Sequence, residues 1–596
     1  MGRYSGAMHI TRLRSKRKDG REYLTVLVAQ SYRQGGKVNK RTICNITHLP
    51  EHIQSLIEGS LKGSRYAPIN ADNSPFLIKR SLSHGDVVAV VSMMNKLGFK
   101  ELLHRSASKS RTVAFALIAS QLLFHTSKLA SIREMQDSTL LKMLNIPDIT
   151  VNDLYEAMDF LGENQVKIER RLARKHLEQG SVALYDLTSS YFEGIKCPLA
   201  KYGYSRDQKK GLLQVEFGVM TNKEGIPVGV DVFEGNTLDS KTVPLELERL
   251  RKTYNLKSVV IVGDRGMLTK ANIDSIKELG GIDFITALKR PAIKKLLRNE
   301  AFQPSLFDKL DIAEITSDDY ENERLMVCKN PFTSESTKIT REKIITALEN
   351  KLAPLIKSVE AGTLVGTESI AKKVGELTAR NRARKYLDIN CANDSITISR
   401  NESLILEEEK LDGFYIVRTS LSSDEMDTNE VVETYKGLKE VEHVFHTLKS
   451  VDLNVRPIRH WNESRVRSHI FLCTLSYYVQ WHLEDRLKSL LFADEAKPTP
   501  INPVVKKTRS QSGDSKAQLK KTNEGYVIQS FTTLLKHLSS LRSEIVEFKD
   551  ETKNTSHEVE MLTEPTEIQS KVFELLGITP MGNVVKQTQN ISNPAS

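Results

Sequence analysis

The sequence predicts an α/β protein whose sheet-and-helix core is interrupted by a mixed α+β insertion and preceded by a basic β arm and a helical segment. Three observations carry this reading. Four β-type runs, Ser181 to Leu187, Leu212 to Met220, Ile226 to Val232 and Ser258 to Val262, are interleaved with helical periodicity over Leu238 to Tyr254 and Lys270 to Leu279. That alternation blurs between Arg290 and about Asp412, then resumes with a strand at Phe414 to Thr419. The net charge of +11 is local, because the first 45 residues hold eleven Lys or Arg against Asp19 and Glu22 and so account for +9 of it.

In chain order, residues 1–64 form the basic arm. Tyr23 to Ala29 and Val38 to Ile43 are strand-like and flank a Gly35-Gly36 turn between basic residues, so a hairpin is expected. Lys16, Arg17 and Lys18 suit phosphate contact, which neutralises backbone charge whatever the base sequence; an ordinary solvated edge is the competing reading. Residues 65–179 carry helical spacing (Val87, Val88, Val91, Met94, Leu97, then Val113, Leu117, Leu122, Ile132) and are assigned as a helical DNA-binding domain, with a helix-turn-helix and a plain bundle both open. Residues 180–290 are the first part of the core and residues 291–411 the insertion, with a helix near Thr340 to Glu360. Residues 412–492 return to the core with two helical stretches separated by Val455 to Trp461. Residues 493–596 are a linker, rich in Pro, Ser, Lys and Thr over Lys497 to Glu524, and a helical tail beginning with Ile528 to Val546.

Hydrophobic residues at 39% and charged residues at 27% exclude wholesale disorder, collagen and a disulfide-dense scaffold. The five cysteines are scattered, with no CxxC pair and no His at zinc-finger spacing, which fits a reducing compartment. No signal peptide is evident, and the most apolar runs, Val113 to Phe124 and Ile470 to Val479, fall short of the roughly 20 residues that span a bilayer. A soluble, cytosolic protein with no membrane partner is expected.

Three acids stand out by their placement. Asp186 is a lone charge inside the apolar run Val182 to Leu187, and such a charge requires a partner. Asp264 follows Val259-Val260-Ile261-Val262-Gly263 and so falls at the C-terminal end of a strand, where α/β sheets bind ligands. The third acid is chosen between Glu440 and Glu442 by helix geometry. At about 100° per residue, Leu438, Val441, Val444, Phe445 and Leu448 form an apolar stripe. Tyr435, Glu442, His446 and Lys449 line its margin, and Glu440 points toward the solvated side. An amphipathic surface helix with an ion pair or two accounts for this stretch taken alone. Together, two strand carboxylates and one helix carboxylate can hold two divalent cations about 3.5 to 4 Å apart, one activating the attacking oxygen and one stabilising the leaving oxygen. Mg²⁺ suits an all-oxygen site, and phosphoryl transfer is the natural chemistry. Just beyond, Arg456-Pro457-Ile458-Arg459-His460-Trp461 combines basic and aromatic groups; Arg456 and Arg459 read as DNA contacts and Trp461 as core.

Asp186 in Tyr-Asp-Leu-Thr-Ser-Ser-Tyr-Phe-Glu, Asp264 in Gly-Asp-Arg-Gly-Met, and the seven-residue file Tyr435, Glu442, Lys449 resemble the DDE transposases of bacterial insertion sequences over most of residues 180–490. The resemblance implies an RNase H-like core with an inserted domain between the second Asp and the Glu. It also implies a helix signature of Tyr, two residues, Arg, three residues, Glu, six residues, Lys. The Arg position is Leu438 here, so Lys436, Lys439 or His446 would supply that cation. By the same resemblance, Asp186, Asp264 and Glu442 are the catalytic metal ligands for two Mg²⁺, with Mn²⁺ a substitute, and Tyr435 and Lys449 grip phosphates beside the scissile bond. The implied activity is cut-and-paste transposition: cleavage at inverted-repeat ends, then strand transfer into target DNA by a homodimer, in a bacterial cytoplasm and at the nucleoid when DNA is bound. A catalytically inactive DNA-binding derivative, suggested by Leu438, and a two-metal nuclease on the same fold are the alternatives.

Overall fold

The computed structural model describes residues 8–16, 22–34, 37–62, 76–308, 310–450, 453–495, 503–504, 509–522, 524–550 and 555–583. They pack as two compact units, Met1–Ser83 with Leu541–Glu564, and His84–Ser540 with Pro565–Ser596.

In the first unit, β1 (Met8–Lys16), β2 (Glu22–Gln34) and β3 (Lys37–Asn45) form an antiparallel sheet with β2 in the middle. Val26, Val28 and Ile46 are buried beneath Ile57 and Leu61 of α1 (Glu51–Leu61). The expected hairpin is β2 with β3, and β1 adds a third strand; Gly35 and Gly36 lie outside the described residues. β4 (Phe76–Ser83) stands where the helical segment was expected.

The second unit begins with helices α2 (Gly85–Lys96), α3 (Phe99–Leu103), α4 (Lys109–Phe124), α5 (Lys128–Gln136), α6 (Leu140–Met143) and α7 (Val151–His176). Ser108, Ser127 and Thr150 cap α4, α5 and α7 with side-chain hydrogen bonds to backbone amides of the first turn. The sheet follows, with β5 (Val182–Tyr191), β6 (Gln214–Asn222), β7 (Pro227–Glu234), α8 (Asp239–Glu248), β8 (Val259–Val262), α9 (Lys270–Leu279) and β9 (Ile282–Ala287). Next come α10 (Arg290–Arg298), β10 (Ile312–Ile315), β11 (Arg324–Lys329), α11 (Pro331–Glu360), α12 (Thr367–Thr378), β12 (Leu387–Ala392), β13 (Ser395–Arg400), α13 (Glu402–Glu409) and β14 (Phe414–Thr419). The eight-stranded mixed sheet runs β10-β11-β14-β9-β8-β5-β6-β7. β5 pairs parallel with β8 and β8 with β9, whereas β5, β6 and β7 are antiparallel neighbours. One face of β5, with Ala183, Tyr185 and Leu187, joins a core shared with Val243, Leu247, Ile273 and Ile276 of α8 and α9.

The segment expected as an insertion divides in two. β10 and β11 extend the central sheet through β14. α11, α12, β12, β13 and α13 build a core of their own around Ile345, Leu348, Ile370, Val374 and Ile405.

The chain continues through α14 (Thr428–Lys436), α15 (Leu438–Lys449), α16 (Glu463–Leu487), α17 (Gln511–Leu519) and α18 (Phe531–Leu538). α16 is buried along most of its length and packs against α2, α4 and α7, so the N-terminal helices belong to the same compact unit as the sheet. α17 forms within the stretch expected as a linker. Its buried Lys516 ammonium donates to the carbonyls of Lys488 and Ala493 and pairs with Glu495, giving a polar stretch an ordering contact that composition does not reveal. The helix expected over Ile528 to Val546 ends at Leu538. Strands β15 (Arg542–Asp550) and β16 (Thr555–Leu562) replace the rest, because β15 finds β4 as its antiparallel partner within the first unit. α19 (Glu567–Leu576) is the last element. No single helix among the described residues is long and apolar enough to cross a membrane.

One buried ion cluster ties α7, β7 and α8 together. The Arg249 guanidinium pairs with Glu169 and Glu246 and donates to the Val230 carbonyl (3.1 Å), while the other Glu169 oxygen accepts from the Val230 amide (3.1 Å). Burial pushes Glu246 up to about 7, a rise that Arg249 opposes. Arg249→Met leaves two desolvated carboxylates without their cation, so the denaturant midpoint of this unit should fall by the equivalent of about 3 to 5 kcal/mol; a loss under ~1 kcal/mol would remove the cluster from the account. Burial also holds His482 near 4, with its Nε2 lacking a hydrogen-bond partner among the described residues. Its neutral form contributes stability that is complete above the ordinary value of 6.5 and is lost as pH falls toward 4. Phe carries no such dependence. The melting temperature of His482→Phe relative to the parent protein should therefore rise between pH 7.5 and pH 5.

Candidate active site

The register of β5 with β8 sets the first two acids side by side. Leu184 is paired with Val262 in parallel, and Asp186 and Asp264 each lie two residues further on. Asp186 therefore lies within β5 just past its stretch paired with β8, and Asp264 just past the C-terminal end of the neighbouring β8. Asp186 is half-buried and Asp264 exposed. Burial pushes the Asp186 carboxyl up to about 7. The negative charges of Asp264 and Asp239 add to the rise, against a hydrogen bond from the Leu187 amide (2.8 Å) and the attraction of Arg206.

Leu184, Asp186 and Thr188 share the face of β5 opposite the apolar core, and α15 runs along that face. A Cβ on Gly437, where α15 begins, would lie 3.7 Å from Leu184 Cδ1. At the other end, Lys449 Nζ donates to Thr188 Oγ1 (2.5 Å). Phe445 packs edge-on to Phe217 on the adjacent strand, with ring centroids 5.9 Å apart. Glu442 lies between these anchors, exposed, on the helix that spans Asp186. Asp186, Asp264, Glu442 and Tyr435 all line one cleft of about 1040 Å³. Burial first, then Asp264, Asp186 and Glu442, pushes the Tyr435 hydroxyl up to about 12, against the attraction of Arg265.

The helix reading holds with two changes. Tyr435 closes α14 rather than opening α15, because the chain is interrupted at Gly437. Glu440 is half-buried rather than turned to solvent, its Cβ resting 3.2 Å from where a Cβ on Gly225 would sit in the turn between β6 and β7. Leu438 lines the cleft with Lys436, Lys439 and Arg206. Of these cations, Lys436 donates to the carbonyls of Pro503 and Val504. His446 is exposed and outside the cleft lining.

Residues that the sequence did not flag complete the site. Arg206 makes a two-oxygen contact with Asp239 (2.7 and 2.9 Å) and reaches Glu216 Oε1 (3.3 Å). Burial pushes Glu216 up to about 7, and its Oε2 has no hydrogen-bond partner among the described residues. The next residue, Asp207, accepts from Lys449 (2.9 Å) and Arg456 (2.6 Å), so both expected phosphate contacts are gathered by one buried carboxylate. Arg459 pairs with Glu193 (3.0 Å) on the surface. Trp461 is a correction: at 68% exposure it is not core, since Ile458 takes the buried place in that turn. The main chain of Lys16 ends β1 but its side chain is not described, and Arg17 and Lys18 lie outside the described residues. Glu216 carries the signal that marked Asp186, a lone acid in an apolar strand; Arg206, Asp207 and Asp239 lie in loops and a helix start where sequence offers no comparable mark.

Hard carboxylate oxygens from within β5, just past β8 and from α15, one of them desolvated beside another, are a donor set that suits Mg²⁺ or Mn²⁺. The arrangement is open: among the described residues no three acidic, His or Cys side chains close into a cage. Glu216, whose Oε2 has no hydrogen-bond partner among the described residues, lines the same cleft.

The family model described as a transposase DDE domain matches residues 178–479, just over half of the 596-residue chain. A second model, the N-terminal domain of IS1634 family transposases, matches residues 10–68. No curated protein matches. Among solved structures, the chain is similar to a piggyBac transposase seen by cryo-electron microscopy in a synaptic complex with hairpin DNA, at 9% identity and a TM-score of 0.32 over 76% of each chain. The matched span contains Asp186, Asp264 and Glu442, and on that span the chain belongs to the DDE transposases of insertion sequences.

Proposed function

We propose that this protein catalyses cut-and-paste transposition, cleaving DNA at the inverted-repeat ends of its element and joining the freed 3′ ends to target DNA. The observation that carries the proposal is the shared cleft of Asp186, Asp264 and Glu442, reached from three different elements. The strand order β7-β6-β5-β8-β9, antiparallel for three strands and then parallel, supports an RNase H-like core. We assign Asp186, Asp264 and Glu442 as the ligands of two Mg²⁺. When bound, these ions supply activation of the attacking oxygen and neutralisation of charge on the leaving oxygen.

The chain's own groups do the rest. Tyr435, kept neutral by burial and by the surrounding carboxylates, presents a phenol hydroxyl that can donate to a phosphate oxygen in the cleft. Asp207 holds Lys449 and Arg456 together, fixing two cations where a strand leaving the cleft would pass. Leu438 does not leave the cleft without cations, because Arg206 and Lys439 line it too, and this favours the active enzyme over a DNA-binding derivative. The proposed working form is a homodimer holding two DNA ends.

Asp186→Asn, Asp264→Asn and Glu442→Gln should each retain binding to inverted-repeat DNA. Each should lower Mg²⁺-dependent end cleavage about a thousandfold or more, the factor that follows from losing several kcal/mol of charge stabilisation. Parental cleavage rates in two of the three would reject the assignment. Joined products in a strand-transfer assay separate transposition from a nuclease, which yields cut ends alone.

A further inference from the structure

Residues 192–213, between β5 and β6, form a built ledge rather than a loose loop. Phe192, Cys197, Leu199 and Ala200 are buried beneath it. Lys201 exchanges two backbone hydrogen bonds with Gln214 (2.7 and 3.0 Å), and the Gly235 amide donates to the Leu199 carbonyl (3.0 Å). At Gly203 the chain runs so close to Gly235 that an added Cβ would meet its carbonyl oxygen at 1.7 Å.

The outer side of this ledge is aromatic and basic. Tyr202 and Tyr204 are 73% and 78% exposed and so present aromatic faces to solvent. Lys196, Lys209 and Lys210 are exposed and have no ion-pair partner among the described residues. The acids nearby are already engaged, Glu193 with Arg459 and Asp207 with Lys449 and Arg456. At one end the ledge meets Trp461, and Phe192, Ile195, Lys196, Arg459 and Trp461 line a cavity of about 340 Å³, on the scale of one nucleotide. At the other end Gly203, Tyr204 and Arg206 form part of the catalytic cleft wall.

We propose that residues 192–213 and Trp461 form a binding site for unpaired nucleotides of the DNA strand that enters or leaves the cleft. This rests on the transposase reading above. Unpaired lysines select a polyanion, and exposed aromatic faces select one whose bases are free to stack, which duplex DNA does not offer. Tyr202 and Tyr204 line the path, and the Trp461 cavity takes a base at its end.

The test uses the full-length protein and repeat-end duplexes that are blunt or carry a short oligothymidine tail. The parent protein should prefer the tailed duplex. Trp461→Ala and Tyr202→Ala should each lose about tenfold of that preference, the scale of one stacked base, with blunt-duplex affinity unchanged. In a Trp481→Phe background, where Trp461 is the remaining tryptophan, oligothymidine should quench its fluorescence. A preference that survives in both variants, or no quenching, overturns the site. Blunt-duplex binding with no preference for the tail in the parent protein also overturns it and leaves the transposase reading standing. Failure to bind either DNA overturns both.

Discussion

The parallel pairing of β5 with β8 is the constraint from which the site follows. With Leu184 opposite Val262, the next residues to share that face are Asp186 and Asp264. A one-residue slip of either strand would turn one carboxylate into the apolar core beside Tyr185 and Ile261. The register is thus held by the apolar residues that alternate with the acids, and the hydrophobic effect sets the geometry of the charges. α15 obeys the same logic. Val441, Val444 and Leu448 are fully buried, and that stripe fixes the rotation that keeps Glu442 in the cleft.

Burying carboxylates in this way is electrostatically costly, and the cost is visible in Asp186 and Glu216, both pushed up to about 7 chiefly by burial. The dipeptide Arg206-Asp207 offsets part of it by sending its two charges in opposite directions. Arg206 faces Asp239 and Glu216, and Asp207 faces Lys449 and Arg456. One short stretch of the ledge therefore separates an acidic wall, suited to cations, from a basic wall, suited to phosphates. The two walls that the proposed metal-assisted phosphoryl transfer would use meet beside β5 without cancelling each other.

Much of the core could be read from local pattern. The runs at β5, β6, β7, β8 and β14 are apolar or alternating, and an acid inside such a run announces itself, as Asp186 and Asp264 did. Glu442 was legible because a helix fixes the phase between a stripe and its margin. What escaped reading depended on distant partners. β4 and β15 pair across more than 450 residues, and neither announces the other. Trp461 reads as core because a large aromatic in a Pro-containing turn usually packs, and nothing in Arg-Pro-Ile-Arg-His-Trp says that Ile458 fills that place. Asp207 and Asp239 sit in segments without periodicity, so only folding shows which cations they hold.

The central claim, that three carboxylates from β5, the end of β8 and α15 make one metal-binding site, is tested most directly by anomalous scattering from crystals of the protein with repeat-end DNA and Mn²⁺. The account predicts peaks between Asp186 and Asp264, with Glu442 on one of them and a DNA phosphate beside it. Manganese bound elsewhere with that cleft empty, or bound without contact to Glu442, would contradict it.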